Sequence, residues 1–296
     1  MTRSHAWKIA GAVAFSGMAG TVLALPPFAD WSAPASIETL PGSSQDLNTG
    51  SIDGCASHSR DGLTLYFNSN REGNHNIYKA TRPDKSSGFG APVKLPEPVN
   101  TGANDACATI VNGNHLYFSS DRDDAAYDIY VSKLGPKGWS APQNLGPNIN
   151  RPGWLDETAD FYEDGAGNEV MVFSSRLPNG SEGKIWQSVN GGMRSLVAGG
   201  PHSSASDNRP SVTNDGLTIF FDSTRLTSLG PEIFYATRSS TSDPFGTAQH
   251  LSDLGGAGFD ARPFISWDGR FMTYSSAREG SPDMYITTRT RANGKD

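Results

Sequence analysis

Five aspartates, Asp53, Asp105, Asp156, Asp207 and Asp260, open five versions of one pattern, and the steps between them are 52, 51, 51 and 53 residues. Each version keeps the same order. A short apolar-alternating run leads to a turn, an aromatic strand returns and ends on an arginine, and a polar loop leads into a second aromatic strand. The second copy, Asp105 to Lys133, is DACATIVNGNHLYFSSDRDDAAYDIYVSK. Short alternating runs rich in aromatic and β-branched residues and bounded by turn residues are β-strands. A period near fifty held over five copies belongs to a radially repeated fold. One such unit cannot cover its own apolar face, so the five copies must fold together as one domain.

The segment FADWSAPASIETL, Phe28 to Leu40, resembles the stretches that follow the last aromatic strand of repeat one (GFGAPVKLPEPVN), repeat two (GWSAPQNLGPNIN) and repeat four (PFGTAQHLSDL). These are fourth strands, and repeat five has none after it. The expected fold is therefore an all-β, five-bladed propeller of four-stranded blades, with the N-terminal strand around Trp31–Leu40 completing the last blade. Ring closure leaves only short sheet edges exposed. The turns Asp61-Gly62, Asn112-Gly113, Asp215-Gly216 and Asp268-Gly269 suit primed hairpins and mark one end of the ring. The aspartates and the strand-ending arginines Arg71, Arg122, Arg176, Arg225 and Arg278 mark the other, with the loops at Asn48-Thr49, Asn100-Thr101, Asn150-Arg151 and around His202. That end is the expected polar mouth.

Residues 1–24 have the form of a secretory signal: Arg3 and Lys8, an apolar run from Ile9 to Leu23, and Val22-Leu23-Ala24 as a cleavage site. The run is short for a retained anchor. The expectation is a secreted or periplasmic propeller over residues 25–296, monomeric, with no stable membrane insertion after cleavage. Losing two basic and no acidic side chains takes the net charge from −7 to −9. Such acidity argues against nucleic-acid and anionic-membrane partners. The two cysteines, Cys55 and Cys107, fall at equivalent positions of adjacent repeats. A disulfide, which needs α-carbons within about 7 Å, and two buried thiols are both open at this point.

The pattern DG-x-x-LYF-x-S-x-R…DIY, as in DGLTLYFNSNR…NIY, GNHLYFSSDR…DIY and DGLTIFFDSTR…EIF, resembles the TolB-type WD-like propeller repeat of bacterial extracytoplasmic proteins, over residues 53 to about 290. The resemblance implies the fold and leaves function open. Repeat three departs from it: GNEVMVFSSR lacks the LYF triplet and KIW replaces DIY.

The five aspartates have two readings. Each caps its loop or pairs with the arginine of the next strand; or part of the ring holds a cation, Ca2+ in the central channel, or a sugar hydroxyl. Carboxylates gathered at one mouth must bind a cation, pair with arginine or keep a proton. Two residues further on stand Cys55, Cys107, Thr158, Arg209 and Arg262, expected one layer below the aspartates because residues two apart share a strand face. Arg209 and Arg262 suit an anion or carboxylate-bearing ligand, or they neutralise neighbouring aspartates. Repeat three is densest in carboxylates, with Asp156, Glu157, Asp160, Glu163 and Asp164, and Trp154 precedes them either to stack on a sugar or to plug a gap. The layout is similar to five-bladed arabinanase-like glycosidases, which carry one carboxylate on the inner strand of each of the first three blades. That similarity implies Asp53, Asp105 and Glu157 as a catalytic trio, and glycoside hydrolysis needs an acid and a base about 5–9.5 Å apart. No nucleophile elbow, phosphate loop or dinucleotide fingerprint is present, and the six histidines show no HxH or HxxxH spacing.

The expected function is a propeller that binds a protein segment or glycan at its mouth through Asp156, Asp207, Asp260, Arg209, Arg262, Trp154 and His202. The alternative is a carbohydrate-active hydrolase or lyase using Asp53, Asp105 and Glu157. A third reading is a purely structural ring whose mouth is fully salt-bridged. Whether the chain is an enzyme is open at the level of sequence.

Overall fold

The computed structural model describes residues 28–292 apart from 124, 227–229 and 255–257. The expected signal segment, residues 1–24, lies outside the described residues. Five antiparallel sheets form the blades. From the channel outward, blade one is Asp53–His58, Thr64–Glu72, Asn74–Thr81 and Val93–Lys94; blade two is Asp105–Val111, His115–Ser120, Asp128–Gly135 and Gln143–Asn144. Blade three is Leu155–Glu163, Glu169–Arg176, Lys184–Val189 and Ser195–Leu196, and blade four is Asp207–Val212, Thr218–Ser223, Glu232–Thr237 and Gln249–His250. Blade five takes Asp260–Ile265, Phe271–Ser276 and Asp283–Thr288 from the C-terminal end and Ala35–Ser36 from the N-terminal end. That last pairing, Ala35 with Ile286 and Ser36 with Tyr285, closes the ring as the sequence predicts. Among the described residues no helix is long and apolar enough to cross a membrane.

The core is five wedges between neighbouring blades rather than one centre. Val172 and Ile185 of blade three meet Ile219 and Phe221 of blade four. Ile77 of blade one meets Leu116 and Phe118 of blade two, and Ile37 and Met284 of blade five meet Leu65 and Phe67 of blade one. Burying a large apolar side chain contributes about 1.5–3 kcal/mol, and each blade spends both faces this way. Three of the five inner strands are buried at nearly every position, so their alternation in sequence is weaker than that of a one-sided sheet.

Two local expectations change. Of the four expected turns, Asn112-Gly113 alone has both residues left-handed, at φ 51° and 73°; at the Asp-Gly turns only the glycine is, near φ 70°. There a hydroxyl two residues earlier holds the aspartate: Ser59, Thr213 and Ser266 each donate to the Oδ1 of Asp61, Asp215 and Asp268 at 2.6–2.7 Å. That contact builds a longer, side-chain-braced turn. The second change lies in the inner strands. Cys55, Cys107, Thr158, Arg209 and Arg262 all have φ between 49° and 58°, and each inner strand shifts register there against its neighbour. These are β-bulges, one per blade, and a bulge breaks the two-residue alternation. The layer beneath the aspartates is therefore set by bulge geometry, not by strand period.

The bulges also join the blades. The amide of Cys55 donates to Ser275 Oγ, Cys107 to Asn68 Oδ1, Thr158 to Ser119 Oγ and Arg262 to Asp222 Oδ1, at 3.1–3.4 Å. Each bond runs from a bulge to the second strand of the preceding blade. Between blades one and two a disulfide adds to it: Cys55 and Cys107 are bonded, with α-carbons 5.0 Å apart.

Candidate functional site

The five repeat aspartates are at most 1% exposed, and each is ion-paired. Arg71 Nη2 lies 2.7 Å from Asp53, Arg122 Nη2 2.6 Å from Asp105, Arg225 Nη2 2.6 Å from Asp207 and Arg278 Nη2 3.3 Å from Asp260. The other carboxylate oxygen caps the incoming loop: Thr49, Thr101 and Ser203 each donate both amide and hydroxyl to it at 2.6–2.9 Å. Each arginine also donates Nε to a serine at the end of its own strand, Ser69, Ser120, Ser223 or Ser276, and to a loop carbonyl such as Leu47 or Val99. Its guanidinium lies over an aromatic ring of the third strand, Tyr78, Tyr130, Phe234 or Tyr285, at 4.6–5.1 Å. Asp, aromatic strand and Arg are thus one device, a satisfied buried ion pair that fixes each blade to its entry loop. Such pairs are costly to break and offer no free valence.

Blade three builds the same device from different parts. The capping cation of Asp156 is Arg194, from the outer hairpin, at 2.8 Å. Arg194 also donates to the Ile149 carbonyl and to Ser175 Oγ and lies 4.3 Å from the Trp186 ring centre, so it takes every role that the strand-ending arginine plays elsewhere. The KIW that replaces DIY supplies that tryptophan. Arg176 is released, and its Nε binds Glu157 Oε1 at 2.8 Å. At Glu157 the other blades carry Gly54, Ala106, Asn208 and Ala261.

Around Glu157 lies the one charged cluster that breaks the fivefold pattern. Arg209 makes a two-pronged contact with Asp222, Nε and Nη2 each at 2.8 Å, and Asp222 stands where Asn68, Ser119, Ser174 and Ser275 stand in the other blades. The guanidinium of Arg262 enters the same field, and its Nε is buried with no hydrogen-bond partner. Burial, then the neighbouring Arg209 charge, pushes Arg262 down to about 10. Burial alone would raise the Glu157 carboxyl, but Arg176, then Arg209 and Arg262, outweigh it and hold it below its usual range. Phe259 lies 5.7 Å from the Arg262 guanidinium and 6.0 Å from that of Arg209. Burial, then the Glu157 charge, raises the Tyr127 phenol; burial, then Arg262, lowers His75. Three guanidinium groups thus face two carboxylates in a chain whose overall charge is −7.

The sequence-predicted residues therefore separate. Glu157, Arg209 and Arg262 come together. Asp53, Asp105, Asp156, Asp207 and Asp260 are each ion-paired by an arginine. Trp154 is half-buried under the Arg151 guanidinium, 3.7 Å from its ring centre, and His202 donates Nε2 to the Val197 carbonyl at 2.7 Å. Among the described residues no group of three or more His, Cys, Asp or Glu stands together to hold a metal ion, so nothing supports the Ca2+ expected in the channel. Asp222 and Arg194 were missed. Aligning the repeats position by position would have exposed Asp222, where the other four carry Asn or Ser; nothing in the repeat marks Arg194.

No family model matches the chain, and no curated protein matches it either. Solved structures share its fold. A thermostable family-43 glycoside hydrolase is 13% identical, over 84% of this chain and 92% of its own, with a TM-score of 0.57. An endo-arabinase from Bacteroides thetaiotaomicron is 16% identical, over 90% and 100%, with a TM-score of 0.53. A putative TolB from Agrobacterium tumefaciens, 19% identical over 77% and 71%, reaches a TM-score of only 0.44, too low to bear on either fold or function.

Proposed function

We propose that the chain is a carbohydrate-directed propeller whose aspartate-end mouth takes an acidic glycan, with Arg262 receiving the sugar carboxylate and Glu157 and Phe259 beside it. The observation that carries this reading is the buried Arg262 Nε without a partner, inside a cluster with one guanidinium more than it has carboxylates. A buried donor left unmade costs about 1–3 kcal/mol, and guanidinium matches a planar carboxylate in shape and charge. A glycan is favoured over a protein segment by the fold neighbours, which are glycosidases; that support is fold-level analogy.

A second reading, hydrolysis, is favoured by the same neighbours and by the asymmetry at Glu157. Glycoside cleavage needs one carboxyl that holds a proton and one that does not. Glu157, kept ionised by Arg176, suits a base or nucleophile. Asp53 and Asp105 have their carboxylate oxygens taken up by Arg71 or Arg122 and by the loop caps.

One titration separates the readings. Oligogalacturonate and neutral arabino-oligosaccharide are each added to wild type and to the Arg262→Met and Glu157→Gln variants, with heat of binding and reducing ends both followed. The acidic oligomer should bind saturably, Arg262→Met should weaken it at least tenfold, and added salt should weaken it further. Equal binding of the neutral oligomer, or binding untouched in Arg262→Met, would sink the anion site. Turnover lost in Glu157→Gln would establish the hydrolase.

A further inference from the structure

A cavity of about 210 Å³ lies at the other end of the channel, among the hairpin turns, with walls from all five blades. Next to it a smaller void of about 10 Å³ is lined by Cys55, Cys107, Thr158 and Arg262 and shares Thr109 and Phe264 with the cavity. The cavity mixes aromatic walls, Phe161, Phe264 and Trp267, with the polar groups Arg60, Asp160 and His58.

Three features give it chemical character. Trp267 is 41% exposed at the rim, and its ring is held by the Arg60 guanidinium 4.0 Å from its centre. A large exposed aromatic braced in this way is rigid and leaves ring area for a ligand. Asp160 is buried, and its Oδ2 accepts from Ser211 Oγ and the Val212 amide at 2.8–2.9 Å with no cation beside it. His58 is buried, with Nε2 3.0 Å from Thr273 Oγ1, and its Nδ1 is buried without a partner. Burial, then Arg82, drives its titration down to about 3, so the imidazole is neutral and offers a hydrogen bond rather than a charge.

We infer that this mouth is a second ligand site, and that it takes one neutral sugar ring, a pentose or hexose. The C–H face would lie against Trp267 and Phe264, and the hydroxyl edge would meet Asp160 and His58. The charges decide for a neutral ring. A cation would compete with Arg60 for the tryptophan; an anion would meet Asp160 and the carboxylates of Glu163 and Glu169, which oppose each other across the hairpin. The volume of about 210 Å³ suits one ring rather than a chain. Aromatic walls combined with placed polar groups are a usual form of a small-molecule site. This inference does not rest on the acidic-glycan reading of the opposite mouth.

The test follows tryptophan fluorescence and heat on adding D-xylose, L-arabinose, D-galactose and D-glucose to wild type, Trp267→Ala, Asp160→Asn and Arg262→Met. At least one sugar should bind saturably to wild type. Trp267→Ala, a change at the exposed rim that leaves the core intact, should weaken it about tenfold or more, which is about 1.4 kcal/mol. Arg262→Met should leave it unchanged, and Asp160→Asn should weaken it if its fold is retained by circular dichroism. The site is refuted if no sugar binds folded wild type, if Trp267→Ala binds as wild type does, or if Arg262→Met abolishes binding.

Discussion

Blades two and three begin from the same buried aspartate and neutralise it with arginines from different places. In blade two the cation comes from the adjacent strand: Arg122 reaches Asp105, Ser120 and the Val99 carbonyl. In blade three it arrives from the outer hairpin, where Arg194 reaches Asp156, Ser175 and the Ile149 carbonyl. The bonds are equivalent, and the consequence is not. Blade two spends its strand-ending arginine on its own aspartate, whereas in blade three Arg176 is left to pair with Glu157. A repeat becomes a site when one of its copies finds a substitute for a structural part and releases the original.

The largest effect should come from breaking the cap itself. Arg122→Met leaves Asp105 buried without its cation and should cost about 3–5 kcal/mol, seen as a fall in denaturant midpoint. Arg194→Met should cost less, because Arg176 stands on the strand where the other blades keep their capping arginine and can return to Asp156. The same variant should then weaken ligand binding at the Glu157 mouth, although it lies outside that cluster. Equal losses of stability in the two variants, with binding unchanged, would mean that the exchange of arginines is incidental.

A smaller effect concerns the joint between blades one and two. Replacing Cys55 and Cys107 together by serine opens a loop with a sequence separation of 52. Such cross-links typically contribute about 2–4 kcal/mol through the unfolded chain. Unfolding should move to lower denaturant in the double variant, and the four sugar titrations at the turn end should keep their midpoints. A double variant as stable as wild type would show that the bulge hydrogen bond alone holds that joint.

The smallest effect is a pH dependence confined to blade three. Burial pushes Asp160 up to about 6, against the lowering pull of the Val212 amide and Ser211. The folded state therefore holds this proton more tightly than the unfolded chain. Its contribution to stability is complete below about pH 4 and is lost as pH rises through about 6. Asp160→Asn removes the titration, so the stability of wild type relative to the variant, read from the difference in melting temperature, should fall between pH 4 and 7. Melting curves at four pH values check this; a constant difference would mean that Asp160 titrates normally.

Much of the fold was legible because it is a consequence of repetition. Five equally spaced aspartates, five arginine-ended strands and a leading segment that looks like a missing fourth strand leave one closed arrangement. The pairing of Arg71, Arg122, Arg225 and Arg278 with their own aspartates follows from strand order alone. The bulges were not legible. A left-handed residue at Cys55, Cys107, Thr158, Arg209 and Arg262 carries no fixed residue type, since small, sulfur-bearing and cationic side chains all occupy it. The turn-end cavity was also hidden, because its walls are contributed in short pieces by all five blades.

What the chain's order of residues determined was the number of blades, their direction around the ring and the charges each would bring to the axis. These are local or periodic quantities, readable within one repeat and by comparison with the next. Which arginine meets which carboxylate was decided only in three dimensions. Arg194 and Asp156 are 38 residues apart, and Arg176 stands on the strand between them. In a low-dielectric interior a buried charge goes to whichever counter-ion can reach it with the rest of its hydrogen bonds made, and that reach is a property of the closed wheel.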